Sequence, residues 1–166
     1  MSDERASMIQ RVLVTGSAGR IGRAAVAAIA ARGHTVVGID IVPSPGLAPE
    51  QVFAASVLER DKLSAAIAGA ECLIHLGATP DDAFYPRPAS PGDIDNFEDE
   101  LVPNNIVGTY RVMEAARKAG VKKVVLASSG QVIVGHRKAG NIPVQAGAPY
   151  DPRYLYACTK VFLEQL

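Results

Sequence analysis

Residues 11–22 read RVLVTGSAGRIG, and their order decides how the rest of the chain is read. Arg11 to Thr15 is a short β-branched apolar run, glycines follow at 16, 19 and 22, and an alanine-rich segment continues to Arg32. The pattern predicts a strand, a tight turn and a helix. A glycine lacks Cβ, so it takes positive φ freely, lets backbone approach a bulky anion, and lets a helix pack closely on a strand. The first amides of the helix point at whatever anion sits there. The spacing G-x-x-G-x-x-G at the opening of a β-α-β unit therefore predicts a phosphate cradle, with a ligand-free tight turn as the plainer alternative.

Outward from this turn, strand and helix alternate. Gly33 and His34 stop the first helix, Thr35 to Asp40 (TVVGID) gives a second strand, and residues 51–55 a weaker third one beyond a Pro/Gly-rich turn. Residues 59–68 carry Leu63, Ala66 and Ile67 at helical spacing, and 71–76 (ECLIHL) form a nearly continuous apolar strand, the pattern of a parallel strand covered on both faces. The stretch 79–95 holds Pro80, Pro86, Pro88 and Pro91 and several acids, which predicts an irregular surface loop. A helix is expected over 97–119, with Pro103 near its start, Val112, Ala115 and Ala116 on its inner side, and Gly120 as its stop. Residues 121–128 (VKKVVLAS) read as a fifth strand, followed by a glycine-containing loop and a last helix from near Pro152 to Leu166. The economical architecture is α/β: a three-layer, doubly wound parallel sheet in one domain spanning residues 1–166.

Composition narrows the function classes. The chain has 166 residues, 48% apolar and 20% charged, with 17 basic against 17 acidic side chains, which is the profile of an ordinary globular protein. It lacks the basic excess of a nucleic-acid binder, so nucleic acid is not an expected partner. Cys72 and Cys158 lie far apart without metal-type spacing, so no metal site is expected and both thiols are read as reduced. Residues 1–10 are polar without an apolar signal core, and no stretch approaches the ~18 apolar residues of a membrane span. A cytoplasmic location without membrane contact is the expectation.

The chemistry concentrates at three places. Asp40 closes the second strand, where a carboxylate accepts hydrogen bonds from ribose hydroxyls and repels a 2′-phosphate. This favours NAD over NADP, with Arg20 and Arg23 near the turn able to weaken the repulsion; a turn-capping role for Asp40 is the bland alternative. Tyr156-Ala-Cys-Thr-Lys160 puts a phenol and an ammonium at i and i+4, on one helix face. An adjacent cation stabilises phenolate, making the tyrosine a base for a substrate hydroxyl; an exposed helix pair is the alternative. Ser128 and Ser129 stand at the carboxyl edge of the fifth strand, and one of them can polarise the substrate oxygen. Ser129 is preferred as lying further out, with bonding to local backbone as the alternative for both.

Taken together, TGSAGRIG, the strand-end Asp40, His75-Leu76-Gly77-Ala78, Asn105-Ile-Val-Gly108-Thr109 and Tyr156-x-x-x-Lys160 make the chain resemble the extended branch of the short-chain dehydrogenase/reductase family, also called the NAD-dependent epimerase/dehydratase family, whose fold is Rossmann-type. The resemblance runs from Arg11 to Leu166. The phrases HLGA, NNIVGTYRVMEAAR and VVLASSGQVIVG look most like uronate dehydrogenases, with sugar-nucleotide epimerases next. It implies that Gly16, Gly19, Arg20, Ile21 and Gly22 lie along a pyrophosphate, Asp40 on the adenosine ribose, and Leu76, Gly77 and Ala78 along the cofactor. It further implies a catalytic trio of Ser129, Tyr156 and Lys160, with Lys160 also on the nicotinamide ribose and Asn105 ordering the site. A sugar-like substrate and a homodimer are expected by the same resemblance.

The chain departs from the family pattern in four ways. Ser56 stands where an adenine-reading Asp is usual, the loop between Ser129 and Gly135 is one residue longer, and the Pro-rich segment 79–95 is extended. Relatives also continue well past the Tyr/Lys helix into a substrate-binding region that is absent here, so a fragment or a naturally reduced form is implied. The second functional reading is accordingly a truncated, non-catalytic NAD(P)-binding or sensing module.

Overall fold

The computed structural model describes residues 11–80 and 96–166. Most of the expected loop, 81–95, and the N-terminal 1–10 lie outside the described residues. Five strands form one sheet: β1 (Arg11–Thr15), β2 (Thr35–Asp40), β3 (Val52–Ala54), β4 (Cys72–His75) and β5 (Lys123–Leu126), in the order β3-β2-β1-β4-β5. β1 runs parallel to β2 and to β4, with Leu13 opposite Val37 on one side and Leu73 on the other, and β2 runs parallel to β3. The expected doubly wound α/β sheet is therefore what the chain forms. Strand order reverses beside β1, so the carboxyl ends of β1 and β4 flank a switch point, where open sheets of this class bind ligands.

Two units are distinguished along the chain: Met1–Gly77 with Arg111–Val125, and Ala78–Tyr110 with Leu126–Leu166. In the first, alternation along the strands sorts side chains onto two faces. Val12, Val14, Val36 and Cys72 are buried with Val26 of helix α1 (Arg20–Ala30), and Ile29 packs against them. Leu13, Val37, Ile39 and Leu73 face the other way, buried with Leu63, Ala66 and Ile67 of α2 (Arg60–Ile67) and with Val112 and Ala116 of α3 (Thr109–Ala119). That is three layers with the sheet in the middle. Alanine-rich α1 ends where Gly33 takes φ +83°, the left-handed conformation that closes helices.

Residues 97–166 are where the sequence expectations need correction. The helix expected over 97–119 is wound in two ways: Phe97–Gly108 is a wide π-helical segment, and only Thr109–Ala119 is α-helical. Pro103 is the cause one would look for. It sits inside the wide segment rather than at a start, it has no N–H to give, and its ring would press on the carbonyl of Asp99 in α winding. The fifth strand is shorter than 121–128. Val121 donates its N–H to the Ala116 carbonyl and so belongs to the cap of α3, while the Ala127 carbonyl is taken by Lys160. The last helix, α5 (Leu155–Gln165), starts beyond Pro152, because Asp151 is held by backbone bonds to Val132 and Gly135 and Tyr154 remains extended. Within the region read as loop lie a 3-10 turn, Gly130–Ile133, and a short helix α4, Val134–Lys138.

Candidate functional site

The glycine turn is built from contacts that no side chain fits. Gly16 has φ +68°, and a Cβ there would lie 2.7 Å from the Gly77 nitrogen. A Cβ on buried Gly22 would lie 2.0 Å from the Gly16 carbonyl oxygen, inside any tolerable contact. Gly19 is the N-cap of α1 and provides no capping side chain. Helical bonding begins only with the Arg23 N–H donating to the Gly19 carbonyl, so the amides of Arg20, Ile21 and Gly22 come before the first intrahelical bond. Ile21 is 68% exposed beside them, an apolar side chain on the open flank of the turn.

Asp40 stands at the end of β2 and reaches this turn directly. Its Oδ2 accepts the Ala18 N–H at 3.0 Å and its Oδ1 the Val42 N–H at 3.4 Å. The carboxylate thus ties the second strand to the glycine turn while keeping further lone pairs for a ligand. After β4, the Leu76 and Gly77 amides are fixed on the Thr15 hydroxyl. Gly16, Gly22, Asp40, Leu76 and Gly77 are therefore gathered at one end of the first unit. Ser56, the departure from the usual Asp, accepts the Leu58 N–H at 3.1 Å and donates its own N–H to Glu59 at 2.9 Å, a local turn before α2. Ala78 begins the second unit.

In the second unit, α5 presents Tyr156 and Lys160 on one face, the ammonium 5.7 Å from the phenol ring centroid. Lys160 is only 5% exposed, and burial pushes its ammonium below the ordinary lysine range. Its Nζ donates to the Ala127 carbonyl at 2.9 Å, two residues before Ser129. The two serines are employed differently. Ser128 donates to the Glu164 carboxylate, which also accepts the Tyr150 hydroxyl at 2.9 Å. The Ser129 oxygen accepts the Gln131 N–H at 3.2 Å, which leaves its hydrogen to donate.

Asn105 is buried in the π-helical segment and its amide is fully engaged. It accepts the Thr79 N–H at 2.8 Å, donates to the Thr79 carbonyl at 3.0 Å, and donates to the Thr159 hydroxyl at 3.2 Å. It acts as a clamp between the chain after β4 and the residue preceding Lys160. Thr79, Thr159, Ala127 and Glu164 are the partners that sequence reasoning missed; only Glu164, at i+4 from Lys160 on α5, had a spacing that could have marked it. A separate cavity of about 430 Å³, lined by His136, Ile142, Pro143 and Gln145 among others, contains none of the expected site residues. Among the described residues no cluster of His, Cys, Asp and Glu could hold a metal ion, and no helix is long and apolar enough to cross a membrane.

The parallel sheet with a glycine turn at its switch point defines a dinucleotide-binding α/β protein of the Rossmann type. Comparison with known proteins makes the assignment narrower: residues 12–166 match the NAD dependent epimerase/dehydratase family, and the chain belongs to it. It is 31% identical over 160 residues to a 3 beta-hydroxysteroid dehydrogenase/Delta 5-->4-isomerase of Mycobacterium tuberculosis, covering 93% of this chain and 41% of that one. It is 28% identical over 158 residues to a uronate dehydrogenase of Pseudomonas putida, covering 94% of this chain and 53% of that one. A solved short-chain dehydrogenase/reductase superfamily protein from Agrobacterium tumefaciens, with bound NAD, superposes with a TM-score of 0.78 at 36% identity, over 94% of this chain and 43% of that one. The chain thus spans about half the length of the curated relatives it matches.

Proposed function

We propose that this protein works as an NAD-dependent oxidoreductase or epimerase on a hydroxyl group of a sugar, uronate or sugar nucleotide, with Tyr156 taking the hydroxyl proton. The observation that carries the reading is the buried Lys160 ammonium on the same helix face as the phenol, 5.7 Å from its centroid. A free tyrosine has a pKa of about 10 and is a poor base at neutral pH. A fixed positive charge stabilises the phenolate and brings it into range.

The residues present fit the cofactor. Gly16 and Gly22 leave the turn bare of side chains, and the first-turn amides of α1 suit the anionic pyrophosphate. Asp40 suits the two ribose hydroxyls and disfavours a 2′-phosphate, which selects NAD over NADP. Gly19, Arg20 and Ile21 complete the turn, and Leu76, Gly77 and Ala78 run along the cofactor. The chemistry that bound NAD would supply is a hydride acceptor, or in reverse a hydride donor, for the carbon bearing the hydroxyl. Ser129, with its hydrogen still to give, polarises the substrate oxygen; Ser128 is committed to Glu164. Asn105 holds α5 in place and Lys160 orients the nicotinamide ribose. The names of the relatives include a hydroxysteroid and a uronate enzyme, and the choice of a sugar-like substrate rests on the uronate relative.

The test is turnover on a panel of sugars and uronates with NAD, comparing the wild type with Tyr156→Phe. Loss of a general base lowers kcat by roughly 10²–10⁴-fold, with NAD affinity retained. Unchanged turnover rejects Tyr156 as the base.

A further inference from the structure

A buried polar knot underlies the glycine turn, and one member of it has no part in the chemistry proposed so far. We infer that His75 is a positioning residue for dinucleotide binding: its Nδ1 accepts the Thr15 hydroxyl proton and thereby fixes the Leu76 and Gly77 backbone against Gly16. The inference deepens the NAD reading and rests on it.

His75 is the last residue of β4 and lies opposite Thr15, the last residue of β1. Both are buried, His75 at 2% exposure. Thr15 Oγ1 is 2.6 Å from His75 Nδ1. The same oxygen receives the Gly77 N–H at 3.0 Å and the Leu76 N–H at 3.2 Å, the latter shared with the Thr15 carbonyl. A hydroxyl has two lone pairs and one hydrogen. With both lone pairs facing amides, the hydrogen is directed at His75, so Nδ1 carries no proton and the ring proton sits on Nε2. A ring protonated at Nδ1 would aim a third donor at an oxygen whose two lone pairs already face amides.

The knot matters for a ligand because the strand ends have no slack. A Cβ on Gly16 would meet the Gly77 nitrogen at 2.7 Å, the Gly77 Cα at 2.8 Å and the Leu76 carbonyl carbon at 2.9 Å. A Cβ on Gly77 would meet Thr15 Oγ1 at 3.1 Å. Any shift of 76–77 is therefore transmitted to the turn at Gly16. Without an acceptor at position 75, the Thr15 hydroxyl is left with an unpaired buried donor and is free to rotate, and the Gly77 amide loses a fixed partner.

Two measurements test this. The first is the histidine tautomer, read by nitrogen-15 NMR of the wild-type protein at neutral pH: a neutral His75 with the proton on Nε2 is expected, and a proton on Nδ1 overturns the inference. The second is NAD affinity by calorimetry. His75→Leu keeps bulk and removes the acceptor, and weakens NAD binding about tenfold or more, a change of about 1.4 kcal/mol. His75→Asn, which offers an amide oxygen one bond from Cγ as the ring offers Nδ1, restores most of that loss. Thr15→Val repeats the loss and Thr15→Ser the rescue. If wild type binds NAD and Leu and Asn at position 75 behave alike, the clamp is wrong while the NAD reading stands. If wild type does not bind NAD, both fall.

Discussion

In the unit built on β1, β2 and β4, the groups proposed for a ligand are mostly backbone: the α1 amides and the bare turn at Gly16 and Gly22, with Asp40 and Arg20 as charged side chains. In the unit that carries α5 they are side chains: a phenol with the Lys160 ammonium 5.7 Å from its centroid, that ammonium bonded to the Ala127 carbonyl, and a Ser129 hydroxyl that accepts the Gln131 N–H. The difference shows in what each region tolerates. A backbone cradle fails by steric intrusion, since any added atom has nowhere to go. A side-chain site fails by loss of a functional group or of the network that aims it.

The sharpest way to break that comparison is Gly22→Ala. Its Cβ would sit 2.0 Å from the Gly16 carbonyl oxygen and cannot be relieved by a rotamer change. NAD affinity falls by roughly a hundredfold, about 2.7 kcal/mol. Gly33→Ala is the control: it strains the backbone, at φ +83°, but nothing lies within 4 Å of its Cβ. It costs about 1–2 kcal/mol of folding stability for the left-handed backbone and leaves NAD binding intact. Equal NAD affinity in the two variants would mean that the turn is not the cradle.

Next in size is Asn105→Ala, which strands the Thr79 amide and carbonyl and the Thr159 hydroxyl. Denaturant unfolding should show a loss of about 1–3 kcal/mol, with kcat reduced more than NAD affinity. A loss confined to NAD affinity would move Asn105 out of the catalytic unit's support. A smaller effect is expected from Asp40→Asn, which removes the charge opposing a 2′-phosphate. The NAD-to-NADP preference shifts toward NADP by about tenfold, or 1.4 kcal/mol; an unchanged ratio of the two dissociation constants leaves Asp40 as a turn cap only.

The smallest expected effect is the pH dependence contributed by Lys160. Burial lowers its folded-state pKa below the ordinary lysine value of 10.5. Between those two values the unfolded chain binds more protons than the folded one, so stability rises with pH across that alkaline window. Below that window the ammonium is charged in both states and its burial is a cost. The stability difference between wild type and Lys160→Met, followed from neutral pH upward, should therefore move in favour of wild type. A difference that is flat with pH contradicts the burial of a charged ammonium.

The sheet was readable because each strand has a pattern with a physical cause: β-branched runs of fitting length, separated by glycines that need positive φ or close approach. The close approach at the glycine turn and the shared helix face of Tyr156 and Lys160 were readable for a similar reason, since both follow from local spacing. What escaped the sequence depends on distant partners. The end of β5 is decided by Lys160 capturing the Ala127 carbonyl, far along the chain. The wide winding of Phe97–Gly108 carries Asn105 to Thr79 and Thr159, and no local propensity specifies that meeting. The start of α5 follows from the tether of Asp151 to Val132 and Gly135, against the usual preference for proline in a first turn. Ser128 and Ser129 differ in the sequence by position alone, and the bond of Ser128 to Glu164 spans 36 residues that no local pattern links.

The measurement that reaches the centre of the account is an NAD titration of the wild-type protein followed by amide chemical shifts. The largest changes are expected at the turn 16–23, where the Arg20, Ile21 and Gly22 amides precede the first intrahelical bond, and at Leu76 and Gly77, which pack against Gly16. Changes confined to the cavity around His136 and Ile142, or none at saturating NAD, would contradict it.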